Sequence, residues 1–332
     1  MTTLALTSGE CETLLDHRLV MRALASAHAA LSNGEATQPR PTMLRAEADS
    51  PDEPLLAAAV LPMTASWRGL AVVKLLSDAP LNRRRGLPAQ RSTVALFDAA
   101  TAECLALIDG MALTRIRTAS ATALATSLLA RPSGRTLGLI GAGALALEHV
   151  RAHHHLGYDE VVAWSRTGAR VERLAERVPR GVSVHAASTP AEVFGRAGVV
   201  CTVTPSVQPM VGAADVRPGT HINAVGSPPR PHFRELAEDV LSRADLVVVD
   251  AADVAIHESG NISAAVAAGS LRECDLVELG DLVIGKHSGR ARDDDITVFN
   301  SVGVGLQDLA TAELVASRAR DLGVGREVAV RA

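Results

Sequence analysis

The sequence predicts an α/β protein in which a doubly wound parallel sheet is joined to a separate α+β domain. From residue 136 onward, short apolar strands alternate with amphipathic helices, the pattern of a parallel sheet with helices on both faces. A glycine-rich turn, Gly141-Ala142-Gly143, stands at the head of that series. The first third follows another grammar, a helical stretch and then several strand-like runs.

The chain has 332 residues, enough for two domains that each bury a core. Hydrophobic residues make up 47% and charged residues 21%, a globular and not a disordered composition. A net charge of −4 supplies no basic field for a phosphate backbone. Aromatic residues at 2% leave few rings on which bases could stack. Cys11, Cys104, Cys201 and Cys274 lie far apart with no CxxC pair, which points to a reducing compartment and away from disulfides or zinc. The opening residues lack a basic n-region and an apolar h-region, and no apolar run is long enough to cross a bilayer. The expectation is a cytoplasmic protein with neither nucleic acid nor membrane as partner.

Taken in order, residues 11–35 carry apolar positions at helical spacing and stop at Asn33-Gly34. After the Pro-rich Gln38-Pro39-Arg40-Pro41, strands are expected over 55–62, 69–76, 92–98 and 104–108, an antiparallel set interrupted by the basic segment 82–88. A long Ala- and Thr-rich helix is expected over 112–130, ended by Arg131-Pro132-Ser133-Gly134, and the domain junction is placed along it. Strands then fall at 136–140, 161–164, 182–185, 199–203, 221–225 and 246–249, with helices such as 169–178 and 190–197 between them. Residues 253–297 read as helices and loops, followed by 297–299 and a closing helix over 305–318. The expected division is 118–299 for the parallel-sheet domain and 1–117 with 300–332 for the other.

The segment from Leu137 through Ile140, Gly141-Ala142-Gly143-Ala144-Leu145-Ala146 reads as strand, tight turn and helix start. Gly141 and Gly143 let the backbone approach a pyrophosphate, Ala146 is small enough for helix–strand packing, and free N–H groups at the helix start would hold the phosphates. This is the fingerprint of a Rossmann NAD(P)-binding domain, with Gly141, Ala142, Gly143, Ala144 and Leu145 as expected contacts. At the end of the next strand an NAD site usually carries Asp or Glu. Here stand Ser165, Arg166 and Thr167. A guanidinium and two hydroxyls suit a ribose 2′-phosphate, so NADP(H) is preferred and NAD(H) is second; the competing reading is a solvated arginine.

Lys74 interrupts the apolar run Leu70-Ala71-Val72-Val73-Lys74-Leu75-Leu76, and burial of a lysine lowers its pKa toward acid–base usefulness. Arg117 lies mid-helix and Arg40 follows Pro39; arginines grip carboxylates in bidentate fashion. Taken singly, each of the three also suits a salt bridge or the surface. His153-His154-His155 point in different directions on a helix and cannot share a metal, so none is expected. Asp293-Asp294-Asp295 and Arg83-Arg84-Arg85 read as solvated loops. No GxSxG elbow supports serine hydrolysis.

A longer set of stretches resembles the ornithine cyclodeaminase/μ-crystallin family over most of the chain. They are Gln38-Pro39-Arg40, Val73-Lys74-Leu75, Arg85-Gly86-Leu87-Pro88, Asp109-Gly110 with Leu113 to Ala119, and Ile140 to Gly143. Further on come His221 to Gly226, Arg234-Glu235-Leu236, Glu258-Ser259-Gly260 and Phe299 to Gly303 with Gln307-Asp308. The resemblance implies a homodimer whose first domain, completed by the C-terminal helix, binds substrate and forms the interface. It implies that Arg40 (or Arg45 in its place), Lys74 and Arg117 hold or protonate an α-imino or α-amino acid. It adds Thr118, Thr204, Val225, Gly226, Ser301 and Gly303 to the cofactor site. Glu235, within its motif, is expected to have a structural partner. There are two departures. Leu145 stands where the family commonly has glutamine, and Pro228 stands where cyclodeaminases carry an aspartate. Proline cannot act as a general base. The implied activity is therefore NADP(H)-dependent reduction of an α-imino acid, with hydride transfer at Cα. Ornithine cyclodeamination and a crystallin-like, cofactor-dependent binding protein are the alternatives.

Overall fold

The computed structural model describes residues 2–45, 58–132, 134–228 and 230–329. The chain divides into two compact units, Met1–Arg117 with Val304–Ala332, and Thr118–Gly303. The predicted fold class holds, with one sheet parallel throughout and the other largely antiparallel.

The first unit contains β1 (Thr3–Leu6), α1 (Ser8–Leu14), α2 (His17–Ser32), β2 (Leu44–Arg45), β3 (Ala59–Trp67), β4 (Leu70–Asp78), β5 (Gln90–Asp98) and β6 (Cys104–Asp109). It also holds the start of α3 (Gly110–Leu129), and α11 (Gly305–Leu322) and β15 (Arg326–Val328) from the end of the chain. Its sheet runs β15-β1-β6-β5-β4-β3-β2. The helix expected over 11–35 is two helices, because the Asp16 carboxylate accepts from the N–H groups of Arg18 and Leu19 and starts α2 anew. The sheet is also not wholly antiparallel, since β1 pairs parallel with β6. Four-residue β1 and three-residue β15 are too short for an alternation signal. Of the strand expected over 55–62, residues 55–57 lie outside the described residues. The β3–β4 hairpin turns through Arg68 and Gly69, both with positive φ (52° and 72°), which matches the twist of the strands they join. On β4 the period-2 alternation sends Val72, Lys74 and Leu76 inward, in register with Met63 and Val94 beside Lys74. Helices α11 and α2 pack together, and α11 covers this face.

The second unit is built on β7 (Thr136–Ile140), α4 (Ala144–His154), β8 (Glu160–Trp164), α5 (Ala169–Ala175), β9 (Ser183–Ala186), α6 (Pro190–Arg196), β10 (Val199–Thr202) and β11 (His221–Ala224). There follow α7 (Glu238–Arg243), β12 (Leu246–Val249), α8 (Ala252–Glu258), α9 (Gly260–Ala267), β13 (Leu276–Glu278), α10 (Leu279–Val283) and β14 (Thr297–Asn300). Strand order is β13-β12-β14-β11-β10-β7-β8-β9, so β13 joins the expected set. One face buries Ile140, Phe194, Ile222 and Val298, and the other Leu137, Leu139, Val150 and Tyr158. The order reverses between β7 and β10, which opens a crevice at the C-terminal ends of those strands.

Candidate active site

In the first unit, Lys74 is fully buried because the alternation of β4 places it on the covered face. Asp308 reaches it from α11, and the first residue of that helix sets the approach. A Cβ at Gly305 would lie 2.7 Å from the carbonyl oxygen of Thr64 on β3, so only glycine lets the helix come so close. The next N–H, of Leu306, donates to Oε1 of Gln38 at 2.7 Å and is thereby satisfied. One turn into α11, Oδ1 of Asp308 accepts from Lys74 Nζ (3.0 Å) and from Arg117 Nε (3.2 Å). Thr114 and Arg117 share a face of α3 at i,i+3 spacing, and Thr114 Oγ1 accepts a second bond from Lys74 at 2.8 Å. Arg115 between them points outward to Glu12. Arg117 Nη1 donates to Gln307 Oε1 (3.0 Å), and Gln307 Nε2 lies 3.2 Å from His28 Nε2.

The electrostatics of this cluster are unbalanced. Burial pushes the Lys74 pKa down to about 8; Asp308 opposes that shift and Arg117 adds to it. His28 is pushed by burial to about 4, so it is neutral near pH 7. With Gln307 Nε2 donating to its Nε2, its proton sits on Nδ1. Two buried cations thus face one carboxylate. An ammonium has three N–H donors and a guanidinium five. Among the described residues, Lys74 commits two of its donors and Arg117 two. A buried surplus of positive charge is unfavourable unless paired. An arrangement of this kind can receive an anion, and an ammonium of lowered pKa can give up a proton.

In the second unit, β7 is followed by Gly141, whose φ of 112° L-residues rarely adopt, and a Cβ there would press on Val203 and Thr204. A Cβ at Gly143 would meet nothing within 4 Å. Packing does not demand that glycine; the space before the first turn of α4 is open, and a dinucleotide pyrophosphate fits there. Glu235, fully buried, ties the neighbouring strand ends. Its Oε1 accepts from the N–H and hydroxyl of Thr204 (2.7 and 2.9 Å), and its Oε2 from the N–H of Gly226 (2.8 Å). The loops after β10 and β11 are so close that a Cβ at Gly226 would lie 2.0 Å from the Thr204 nitrogen. Burial raises Glu235 to about 7 although these hydrogen bonds pull it down. Asp250 Oδ2 does similar work after β14, accepting from the Ser301 hydroxyl and the Gly303 N–H, both at 2.7 Å. Asn261 Oδ1 accepts from the N–H groups of Glu235 and Leu236, and its amide donates to Asn300.

Of the residues singled out from the sequence, Lys74 and Arg117 meet on one carboxylate oxygen. Arg40 is exposed and is not among their partners; the side chain of Arg45 lies outside the described residues. Gly141, Ala142, Gly143, Ala144 and Leu145 form the turn and first residues of α4. Ser165 is half-buried, and Arg166 and Thr167 are exposed past the end of β8. Thr118 and Val225 are buried. Thr204, Gly226, Ser301 and Gly303 are held by the two carboxylates. Pro228 is buried, and Pro229 lies outside the described residues. His153 belongs to the interior, with Nε2 3.1 Å from the Thr126 hydroxyl. The sequence reading assigned no role to Thr114, Gln307, Asp308, Asp250, Asn261 or His28. A Gln-Asp pair on the inner face of an apolar helix was an available signal for two of them; His28 gave none.

A parallel sheet that reverses at a glycine turn, with its strand ends tied back by buried carboxylates, defines a dinucleotide-binding fold of the Rossmann class. The chain belongs to the ornithine cyclodeaminase/mu-crystallin family, whose model matches residues 2–323. It is 34% identical to ketimine reductase mu-crystallin of Mus musculus over 77% of this chain and 78% of that protein. Its fold is similar to that of Δ1-pyrroline-2-carboxylate reductase from Thermococcus litoralis, solved with NADH and L-proline, at TM-score 0.91 and 28% identity, covering 98% of this chain and 100% of that one. It is equally similar to an archaeal alanine dehydrogenase dimer with bound NAD, at TM-score 0.91 and 30% identity over 100% of both chains. Among the described residues, no helix is long and apolar enough to cross a membrane.

Proposed function

We propose that this chain is an NADP(H)-dependent reductase of a small α-imino acid, with the first unit holding substrate and the second the cofactor. The observation that carries the reading is the buried Lys74–Asp308–Arg117 cluster, with its surplus positive charge and uncommitted N–H donors. Arg117 has donors to spare for a carboxylate, and Lys74 has one for the substrate nitrogen. When bound, NADPH supplies a hydride to the substrate Cα. Lys74 supplies the proton that makes the product an amine, and in the reverse direction it takes that proton back. Asp308 fixes both cations. Among the relatives' substrates, Δ1-pyrroline-2-carboxylate and alanine carry a carboxylate beside the carbon that bears nitrogen, and a ketimine has the same carbon–nitrogen centre. Arg40 completes the carboxylate grip on the strength of the family match.

The preference for NADP(H) rests on Ser165, Arg166 and Thr167, where no carboxylate is present to bind a ribose 2′-hydroxyl and repel a phosphate. Homodimerisation is supported by the outer face of the first sheet. There Val73, Ala95 and Leu107 lie in register across three strands, and Val73, Leu75 and Leu107 are exposed. Contiguous exposed apolar surface of this kind marks an interface, and the archaeal relative is a dimer. Pro228 argues against cyclodeamination, because activation of a distal amine needs a base at that position. One experiment tests the reading. Cyclic and linear α-imino acids are offered with NADPH or NADH, and ornithine is offered separately with catalytic NAD⁺ or NADP⁺. Steady NADPH oxidation with an imino acid is expected. Proline formed from ornithine at many turnovers per minute, with no net cofactor change, would replace the reading with cyclodeaminase.

A further inference from the structure

Helix α5 carries an arginine pattern that the glycine turn and the Ser165-Arg166-Thr167 segment leave unexplained. Arg170, Arg173 and Arg177 line a cavity of about 190 Å³ whose opposite wall includes Ala142, Gly143 and Ala144. Arg170 and Arg173 share one face of α5, Arg177 follows two residues after its last residue, and Arg166 stands four residues before the first of them. Residues 165–180 hold five arginines against two glutamates in a chain of net charge −4, so the positive charge is local. Elsewhere in this unit the helical arginines Arg151 and Arg196 pair with Glu148 and Glu192 on their own helices. Among the described residues, Arg166, Arg170, Arg173 and Arg177 make no side-chain hydrogen bond or ion pair. Glu172 on α5 and Glu176 just past its end do not neutralise them. Like charges three or four residues apart on a helix repel. Three of them around a concavity beside the phosphate-binding turn, with Arg166 close by in sequence, form an arrangement that an anion relieves.

We infer that Arg170 and Arg173, with Arg177 behind them, hold the 2′-phosphate of the cofactor in this cavity. The selectivity of the site for NADP(H) then depends on a helix face as well as on Arg166. This rests on the proposed cofactor preference and extends it to residues that follow the strand-end segment. A phosphate monoester is the anion favoured by position. The cavity adjoins the turn where the pyrophosphate fits and begins just past the strand end at which a dinucleotide's ribose is recognised. Guanidinium groups give phosphate two-pronged, charge-assisted bonds that neither hydroxyls nor a lone ammonium reproduce.

The test is calorimetric binding of NADPH, NADH, 2′,5′-ADP and 5′-AMP to the full chain and to R166Q, R170Q/R173Q and R177Q. The two nucleotide fragments differ only in the 2′-phosphate. The wild type is expected to bind NADPH and 2′,5′-ADP more tightly than their partners. R170Q/R173Q is expected to weaken both by about 30-fold or more, as the loss of two charge-assisted contacts implies, with NADH and 5′-AMP changed less than about twofold. R177Q should show the same selectivity at a few-fold. Unchanged NADPH affinity in R170Q/R173Q, with R166Q weakened, would overturn the helix-face assignment and leave the cofactor preference standing. An equal loss of NADPH and NADH would assign the arginines to the pyrophosphate or to folding, which also overturns it. A wild type that binds NADH as tightly as NADPH would refute the cofactor preference itself, and this inference with it.

Discussion

Both units bury carboxylates, and they use them in opposite ways. In the parallel-sheet unit Glu235 accepts two backbone N–H groups and a hydroxyl, from loops that follow two different strands. Its charge is spent on holding backbone. In the other unit Asp308, on α11, accepts from two side-chain cations through one oxygen, while Oδ2 has no hydrogen-bond partner. Its charge is outnumbered, and the donors around it are only partly used. The first arrangement is saturated and acts as scaffold. The second leaves donors uncommitted, which supports the proposed role as a substrate site. Substitutions on the two sides should therefore fail differently, one in turnover and its pH dependence and the other in cofactor affinity.

The largest effect is expected at Lys74. Lys74→Met keeps the volume, removes the proton donor, and leaves Asp308 paired with Arg117, so the cluster stays neutral and folded. Turnover on the best imino acid should fall by about 10²–10⁴-fold, the usual range for losing a general acid. Cofactor affinity should stay within a few-fold, because the lysine belongs to the other unit. Steady-state kinetics with a cofactor titration measure both, and near-normal turnover would make Lys74 a structural residue. The wild type carries a related pH signature. Lys74 is protonated below about 8, so imine reduction should decline as pH rises through that value. Amine oxidation, which needs the neutral amine, should rise over the same interval.

Asp308→Asn sharpens the same side. Asp308 is the influence that holds the lysine up against burial and Arg117. Without it the Lys74 pKa should drop, and the declining limb of reduction should move to lower pH by about 1–3 units, the effect of a neighbouring opposite charge. Arg117, left buried without its ion pair, should also lower stability by about 3–5 kcal/mol. A pH–rate profile and denaturant unfolding test this. An unmoved limb would show that Asp308 does not govern the lysine.

These two constructions were unequally legible in the sequence. The crevice is made from local pieces, a strand followed at once by Gly141-Ala142-Gly143 and then a helix, and that order is visible in a dozen residues. Lys74 was visible because a lysine inside an apolar strand is conspicuous. Its partner was not, since Asp308 lies 234 positions away and only the packing of α11 on β4 brings them together. Asp308 entered the reading merely as part of a family stretch. Helical periodicity ran through the break between α1 and α2 because Leu14 and Val20 are both core residues, while the cap at Asp16 depends on one carboxylate. Glu235 was read as structurally engaged, but the loops it joins are fixed by strand order, which periodicity does not supply.

The smallest expected effect tests the scaffold side, through Glu235→Gln. Glutamine keeps the shape, and its single oxygen can still accept from Thr204. Its NH₂ group must then face the N–H of Gly226, a donor against a donor, and the crowding at Gly226 leaves the loop no room to turn away. A buried donor without an acceptor costs about 1–3 kcal/mol, so stability should fall by that order. The end of β11 should loosen, and NADPH affinity should weaken several-fold while turnover at saturating cofactor stays within a few-fold. The pH dependence distinguishes this from a general loss of fold. Burial holds Glu235 at about 7, well above an ordinary carboxyl group. As pH falls through that value, the wild-type side chain takes up a proton and becomes a donor on one oxygen, as the amide is in the variant. The gap in NADPH affinity between wild type and Glu235→Gln should therefore be widest at pH 8 and should close toward pH 6. Titrations at three pH values measure it. A gap that stays constant across them would mean that the ionised carboxylate is not what ties the two strand ends together.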